Sequence, residues 1–346
     1  MLVDKKDLDL IATKLAKDFV FFKNKKIFIT GGTGFFGKWL LETFLYLNVH
    51  YNLNISVTIL SRSPYKFKEL HSHISGHKNF FYVKGDIINF ENDTESYDLI
   101  IHAATDASSG RNQFETEQMY STVMDGTRHI CEFASKVGCQ RILYTSSGAA
   151  YGPQPESMSH MPETFIHNPF FNNNDAYASA KLKSEKYLQT NSSCDVVIAR
   201  CFAFSGPYLP LDGSYAFGNF INDVLNEKDI IIKGDGTAIR SYLYAADLVV
   251  WLLRLLSSGV NKEIYNVGSY ESISIAELAS LINSMGTKTK KIHVSSEMSK
   301  KSIYVPDVNK AITELGLDIY TSLAVAVERT LCFHNKFKGN INYRHD

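Results

Sequence analysis

Gly31-Gly32-Thr33-Gly34-Phe35-Phe36-Gly37 follows the apolar run Ile27-Phe28-Ile29 and opens a helical stretch from Lys38 to Leu47. A strand that turns sharply into a helix aims backbone N–H groups at whatever lies above the turn, and glycine admits an anion where a Cβ would collide. From Gly32 the spacing is G-x-G-x-x-G, and from Gly31 it is G-x-x-G-x-x-G; both put Gly37 where helix and strand pack closely. The expected occupant is a dinucleotide, its pyrophosphate cradled by Gly31, Gly34, Phe35, Phe36 and Gly37.

Working outward, apolar runs alternate with helical patterns: Ile27 to Thr30, Ser56 to Leu60, Phe80 to Val83, Leu99 to His102, Ile142 to Tyr144 and Val196 to Ala199. Such alternation predicts right-handed β-α-β crossovers, and so a doubly wound parallel α/β (Rossmann) sheet covered on both faces. Ligands of these sheets lie at the carboxyl ends of the strands. Beyond Pro207 the texture changes to turns and short elements, punctuated by Gly206-Pro207, Leu211-Asp212-Gly213 and Gly234-Asp235-Gly236, as in a smaller lobe over the sheet. The expected organisation is an N-terminal helical extension over 1–24 and a dinucleotide-binding domain over 25–205 with later returns near 240–268. A substrate-binding lobe is expected over 206–239 and 269–346.

Acidic and basic residues balance at 36 each, so no global field draws nucleic acid or a membrane surface. Cys131, Cys139, Cys194, Cys201 and Cys332 are odd in number and contain no C-x-x-C, which argues against a disulfide frame or a zinc site. They read as reduced, mostly buried thiols of a cytoplasmic protein. The start of the chain is charged and is no signal peptide; Leu8, Ile11, Leu15, Phe19 and Phe22 recur at helical spacing, so residues 5 to 22 read as one amphipathic helix. Leu248 to Leu256 is apolar, yet it contains Arg254 and is too short to span a bilayer.

Tyr177 and Lys181 are four apart in a stretch of strong helix formers and share one helical face. A phenol of ordinary pKa near ~10 is a poor acid–base catalyst at neutral pH, whereas an adjacent ammonium and a cationic nicotinamide favour its phenolate. Ser147 ends the run Ile142 to Ser147 at a strand's carboxyl end, where its hydroxyl could hydrogen-bond a substrate carbonyl beside the phenol. Phosphate turn, strand-end serine and Tyr/Lys pair, in that order, point to hydride transfer.

With these motifs in place the chain resembles the extended short-chain dehydrogenase/reductases that act on nucleotide sugars, the NAD-dependent epimerase/dehydratase family. The resemblance runs from about Lys25 to Leu317 and includes Gly85-Asp86-Ile87, His102-Ala103-Ala104, Asp125-Gly126-Thr127, Thr145 to Gly152, Arg200 to Pro207 and Arg240-Ser241-Tyr242. It implies that Ser147, Tyr177 and Lys181 are catalytic, with Tyr177 and Lys181 also touching the cofactor. It further implies that Asp86 and Ile87 lie at the adenine, that Ala103 and Ala104 line the cofactor cleft, and that Arg240 grips the substrate's diphosphate. Thr105, Ser147, Gly148 and Asn219 are the remaining substrate residues. Relatives dimerise through helices corresponding to about Glu115 to Lys136 and Asp175 to Gln189, so a homodimer is expected.

Two departures narrow the reading. Sugar 4,6-dehydratases of the family carry an Asp-Glu pair where this chain has Gly148 and Ala149, neither of which moves a proton; Asp106 and Asp175 are the conceivable substitutes. At the second strand's end, where an NAD-selective fold puts a carboxylate, stand Ser61-Arg62-Ser63, which suit a 2′-phosphate. NADP(H) is therefore expected over NAD(H). The leading expectation is an NADP(H)-dependent reductase of a nucleotide-linked 4-keto-6-deoxy sugar; the alternatives are an NAD-retaining epimerase or dehydratase and a non-catalytic dinucleotide-sensing scaffold. Ala203 and Val123 replace asparagines usual in relatives. Phe217 and Phe220 could flank a nucleobase with Asn219 or could be core.

Overall fold

In a computed structural model, residues 2–91, 95–104, 113–166, 175–213, 215–295 and 302–336 are described. The expected Thr105 contact and the substitute acid Asp106 lie outside these residues.

Seven strands form one fully parallel sheet: β1 (Lys26–Thr30), β2 (Ser56–Ser61), β3 (Phe80–Lys84), β4 (Leu99–His102), β5 (Arg141–Ser147), β6 (Asp195–Cys201) and β7 (Ile264–Val267). Their spatial order is β3-β2-β1-β4-β5-β6-β7, with every neighbouring pair parallel. The fold is thus a doubly wound Rossmann sheet whose order reverses between β1 and β4, which opens a crevice beyond their carboxyl ends. β1, β4, β5 and β6 read as continuous apolar runs because both faces are covered. Ile27 and Ile29 pack into one core and Phe28 into the other, on opposite sides of the same strand.

Helices α1 (Lys5–Lys14), α2 (Phe35–Tyr51), α3 (Gln113–Lys136), α4 (Ala176–Asn191) and α5 (Ala245–Ser258) flank the sheet. α3 and α4 lie together on one face, joined by the Thr127 hydroxyl donating to Ser184 at 3.1 Å. On the other face, α5 is buried all round, from Ala245 through Leu256, because α1 and α2 cover it. The seventh strand follows α5, so the chain returns to the large sheet after the first lobe segment. The lobe has its own apolar core, in which Phe217, Phe220 and Ile221 of the helix Ala216–Leu225 meet Leu278 and Ile282 of the helix Ile275–Ser284.

The N-terminal segment is not the single helix its periodicity predicts. α1 stops at Leu15, a 3-10 turn spans Ala16–Asp18, and a short helix covers Phe19–Phe22. The break has an electrostatic cause. Asp18 turns inward to Arg254, the lone cation in the apolar helix α5, whose Nε donates to it at 2.9 Å. Arg254 also donates to the Leu315 and Lys14 carbonyls at 2.9 and 2.8 Å, so each of its three nitrogens has an acceptor. Both side chains are only 3% exposed, and removing one partner strands the other. Asp18→Ala should therefore cost about 3 kcal/mol of stability in urea unfolding, far above the ~0.5 kcal/mol typical of surface changes.

Among the described residues no helix is long and apolar enough to cross a membrane, and no group of His, Cys, Asp or Glu is placed to hold a metal ion.

Candidate active site

The glycine turn leads from β1 into α2 at the crevice. Gly34 caps α2 with no side chain, and no acidic residue occupies the first helical turn, so the positive end of a 17-residue helix is left open to an anion. Gly31 has φ +72°, and a Cβ on it would lie 2.5 Å from the Ala103 carbonyl oxygen. A Cβ on Gly37 would lie 2.2 Å from the Gly32 carbonyl carbon, so α2 touches the turn here as the spacing predicts. Gly34 differs: a Cβ there would meet only the Gly31 oxygen at 3.4 Å, which marks the open face. A closed back and an open helix end fit the phosphate bridge of a dinucleotide.

The walls of the cleft come from the neighbouring strand ends. The Thr30 hydroxyl bonds His102 Nδ1 at 2.8 Å and accepts the Ala104 N–H at 3.1 Å, fixing the β1 and β4 ends together; the Ala103 N–H donates to the Thr30 carbonyl at 3.2 Å. Burial, aided by the Lys181 charge, pushes the His102 imidazole down to about 3, so it is neutral. Ser61 ends β2 and accepts the Ser63 N–H at 3.1 Å, while Arg62 between them is exposed. Asp86 accepts the Ile88 N–H at 3.3 Å. Ile87 lies against Gly126 of α3, where a Cβ would come within 2.8 Å of it.

Ser147, Tyr177 and Lys181 converge at the carboxyl end of β5. Lys181 is 1% exposed, donates to the Thr145 carbonyl at 2.8 Å, and sits 4.8 Å from the Tyr144 ring and 5.9 Å from the Tyr177 ring. Burial brings its ammonium down to about 8, with Cys201 and Glu185 opposing. Tyr177 is raised above the ordinary phenol by burial; a hydrogen bond from Ser147 opposes this, and Tyr304, Tyr144 and Tyr215 nearby add to it. Tyr177 is thus a phenol, not a phenolate, across the neutral range. The Ser147 hydroxyl accepts the Ala149 N–H at 3.1 Å and lies beside Tyr177 and Tyr304, lowering both phenols against the effect of burial.

Tyr304 has no local signal in the sequence. It arrives from the strand Ile303–Tyr304, which pairs with Ile239–Ser241 and sets Tyr304 opposite Arg240. Its hydroxyl would lie 2.7 Å from a Cβ on Gly148, the Phe202 ring would lie 2.8 Å away, and the two rings meet at 4.6 Å, tilted by 36°. Gly148 therefore has no room for a side chain. Asp175 is also committed, since its carboxylate accepts the Ala178 N–H at 3.0 Å and caps α4.

Behind Ser147 lies a buried ionic support. Glu185 accepts from Arg200 Nε at 2.9 Å and Nη2 at 2.6 Å and also accepts from the Ser146 hydroxyl, while Arg200 stacks 4.2 Å over the Tyr151 ring. Glu185 is four residues beyond Lys181, and Ser146 alternates with Ser147, so helix and strand periods would have indicated this partner. The network ties α4 to the strand that carries Ser147.

In the lobe, Arg240 is partly buried and donates to the Ser302 carbonyl at 3.0 Å, the Ser302 hydroxyl at 3.1 Å and the Ile239 carbonyl at 2.8 Å. Asn219 donates to the Gly213 carbonyl at 3.0 Å. Phe217 and Phe220, 0% and 3% exposed, are core residues and offer no ring to a base. Their helix is strongly amphipathic, and both fall on its inner face.

An uncapped glycine turn at a Rossmann switch point, with a Tyr/Lys pair and a serine beside it, defines a nicotinamide-dependent short-chain dehydrogenase/reductase. The chain belongs to the NAD-dependent epimerase/dehydratase family, whose model matches residues 27–268. It is 27% identical over 317 residues to UDP-glucuronic acid decarboxylase 1 of Xenopus tropicalis, covering 90% of this chain and 72% of that one. With the dTDP-glucose 4,6-dehydratase of Streptomyces niveus it shares 25% identity over 321 residues, covering 88% and 91%. A solved UDP-glucuronic acid 4-epimerase from Bacillus cereus, in complex with UDP-glucuronic acid and NAD, superposes with TM-score 0.76 at 21% identity, covering 90% of this chain and 99% of that one.

Proposed function

We propose that the protein is a nucleotide-sugar oxidoreductase that moves hydride between a nicotinamide dinucleotide and a sugar carbon, working with NADP(H) as a reductase of a 4-keto sugar. The observation that carries this reading is the crowding around Gly148. The position where dehydratases hold an acid is filled by Tyr304 and Phe202, and Ala149 beside it has no ionisable group. Neither position offers a carboxylate to remove water, which favours hydride transfer with one proton over dehydration.

Bound nicotinamide would supply or accept the hydride. Tyr177, kept protonated by burial, is the proton donor to the sugar carbonyl oxygen. Ser147 holds that oxygen and is itself oriented by the Ala149 N–H. Lys181, anchored on the Thr145 carbonyl, supplies positive charge beneath the phenol and a donor for a ribose hydroxyl. Gly31, Gly34, Phe35, Phe36 and Gly37 hold the pyrophosphate; Asp86, Ile87, Ala103 and Ala104 line the rest of the cofactor cleft. Arg240, pre-positioned on Ser302, meets the substrate diphosphate.

The exposed Arg62, with Ser61 and Ser63, favours a 2′-phosphate on the cofactor. Arg62→Glu should raise the KM for NADPH about tenfold to a hundredfold and lower that for NADH, since one charge-assisted contact becomes a repulsion. A KM ratio that does not move would remove the basis for NADP(H).

A second reading is a decarboxylase or epimerase that keeps NAD bound, and the names of the relatives favour it. Denaturing the purified protein and chromatographing the released nucleotides separates the two. Stoichiometric NAD, with no NADPH oxidation in the presence of nucleotide-linked 4-keto sugars, would replace the reductase by the NAD-retaining enzyme.

A pH dependence follows from Lys181. Below about 8 its amine is charged in the folded protein and above it the charge is lost, although the same amine in the unfolded chain stays charged well beyond that point. kcat/KM should therefore fall above pH about 8, whereas in Lys181→Met it should be low and flat through the same range.

A further inference from the structure

Cys139 and Cys194 are distant in sequence, yet they meet at the amino edge of the sheet, opposite to the active site. Cys139 precedes β5 by two residues and Cys194 immediately precedes β6. The two entry turns are joined side by side. Arg141 is in register with Asp195 and pairs with it at 2.8 Å, and the Asp195 N–H donates to the Gln140 carbonyl at 3.1 Å. Both residues pack against the apolar cluster that contains Ile142, Leu188 and Val196, close enough for each to shift the other's titration. Both also line an open surface depression of about 530 Å³, with Ser192, Asn261 and Lys262 on its wall.

The two thiols are not equivalent. Cys194 is partly exposed, and its Sγ lies 3.4 Å from the Ser192 hydroxyl. Hydrogen bonds from Cys139 and Ser192 hold it below the ordinary thiol range. Cys139 is 8% exposed, donates to the Arg141 carbonyl at 3.3 Å, and is pushed up by the neighbouring Cys194 and by burial. A partly exposed thiol held below its ordinary range, beside a buried one, is the arrangement of an attacking and a resolving cysteine.

We propose that Cys139 and Cys194 form a redox-active dithiol that hydroperoxides close to a disulfide. The Cys194 thiolate attacks the terminal oxygen of the hydroperoxide and the O–O bond breaks, leaving a sulfenic acid on Cys194 and an alcohol, or water from hydrogen peroxide. Cys139 Sγ then attacks Cys194 Sγ. The S–S bond forms, hydroxide departs, and with the Cys139 proton it leaves as water. Two thiols give up two electrons, and the peroxide is reduced. The closed ring runs from residue 139 to 194 and carries Ser147, Tyr177 and Lys181, so the bond pins the base of the catalytic segment to β6.

The test uses the reduced, full-length chain treated with hydrogen peroxide. Intact mass should fall by about 2 Da with no added oxygen, and a non-reducing peptide map should join Cys139 to Cys194. Free thiols should drop from five to three. The melting temperature should rise by about 5 °C or more and return on adding dithiothreitol, because the ring restrains the unfolded chain. Cys139→Ser and Cys194→Ser should each abolish the mass loss. Retained oxygen on Cys194 with no cross-link, a dimer joined through the exposed Cys332, or an unchanged mass would each overturn the proposal.

Discussion

Tyr177→Phe is expected to lower kcat for hydride transfer about a thousandfold while cofactor affinity stays within about threefold. On the proposed mechanism the phenol delivers the proton, and its ring is left in place by the change. Lys181 keeps its bond to the Thr145 carbonyl, and the glycine turn is untouched, so cofactor binding should persist. Ser147 loses one of its two phenolic neighbours and keeps Tyr304 and the Ala149 N–H. Stopped-flow absorbance of the reduced nicotinamide, paired with fluorescence titration of the cofactor, separates the two effects. An unchanged rate would sink the assignment of Tyr177 as proton donor.

Gly37→Ala should act on fold and cofactor together. The added methyl would sit 2.2 Å from the Gly32 backbone, and no side-chain rotation relieves a clash with main chain. α2 must lift off the turn, at a cost on the order of 3 kcal/mol. Lifting the helix also moves the N–H groups that would meet the pyrophosphate, so nucleotide-induced thermal stabilisation should vanish as well. Gly34→Ala provides the contrast. Its methyl has space on the protein side, so native stability should change little while cofactor binding is lost.

The sheet was legible because its strands obey one simple rule. Strands buried on both faces read as unbroken apolar runs, and β1, β2, β4, β5 and β6 stand out in this way, while the half-exposed edge strand β3 shows through its aromatic and β-branched residues. The seventh, Ile264–Val267, is short and follows α5, whose own apolar run masks the period. The break in the N-terminal helix was not legible. The apolar period runs straight through Asp18, and only the distant Arg254 explains why the chain turns there. In the site, Ser147, Tyr177 and Lys181 were readable because strand-end and helix-face positions are local properties. Tyr304 was not, since its place beside Gly148 is set by lobe strands far along the chain. The ambiguity at Phe217 and Phe220 was resolved towards core, because an amphipathic helix buries its apolar face when a partner helix is present. The meeting of Cys139 and Cys194 required the strand register, which no count of cysteines supplies.

Isotope transfer tests the hydride step most directly. NADPH carrying deuterium at the nicotinamide C4 would be incubated with UDP- and dTDP-linked 4-keto-6-deoxy sugars, and the sugar product analysed by mass spectrometry and NMR. One deuterium on the sugar's C4, gained by the native protein and lost in Tyr177→Phe, is the expected result. A sugar product without deuterium, formed by protein that releases stoichiometric NAD on denaturation, would contradict net reduction by NADP(H).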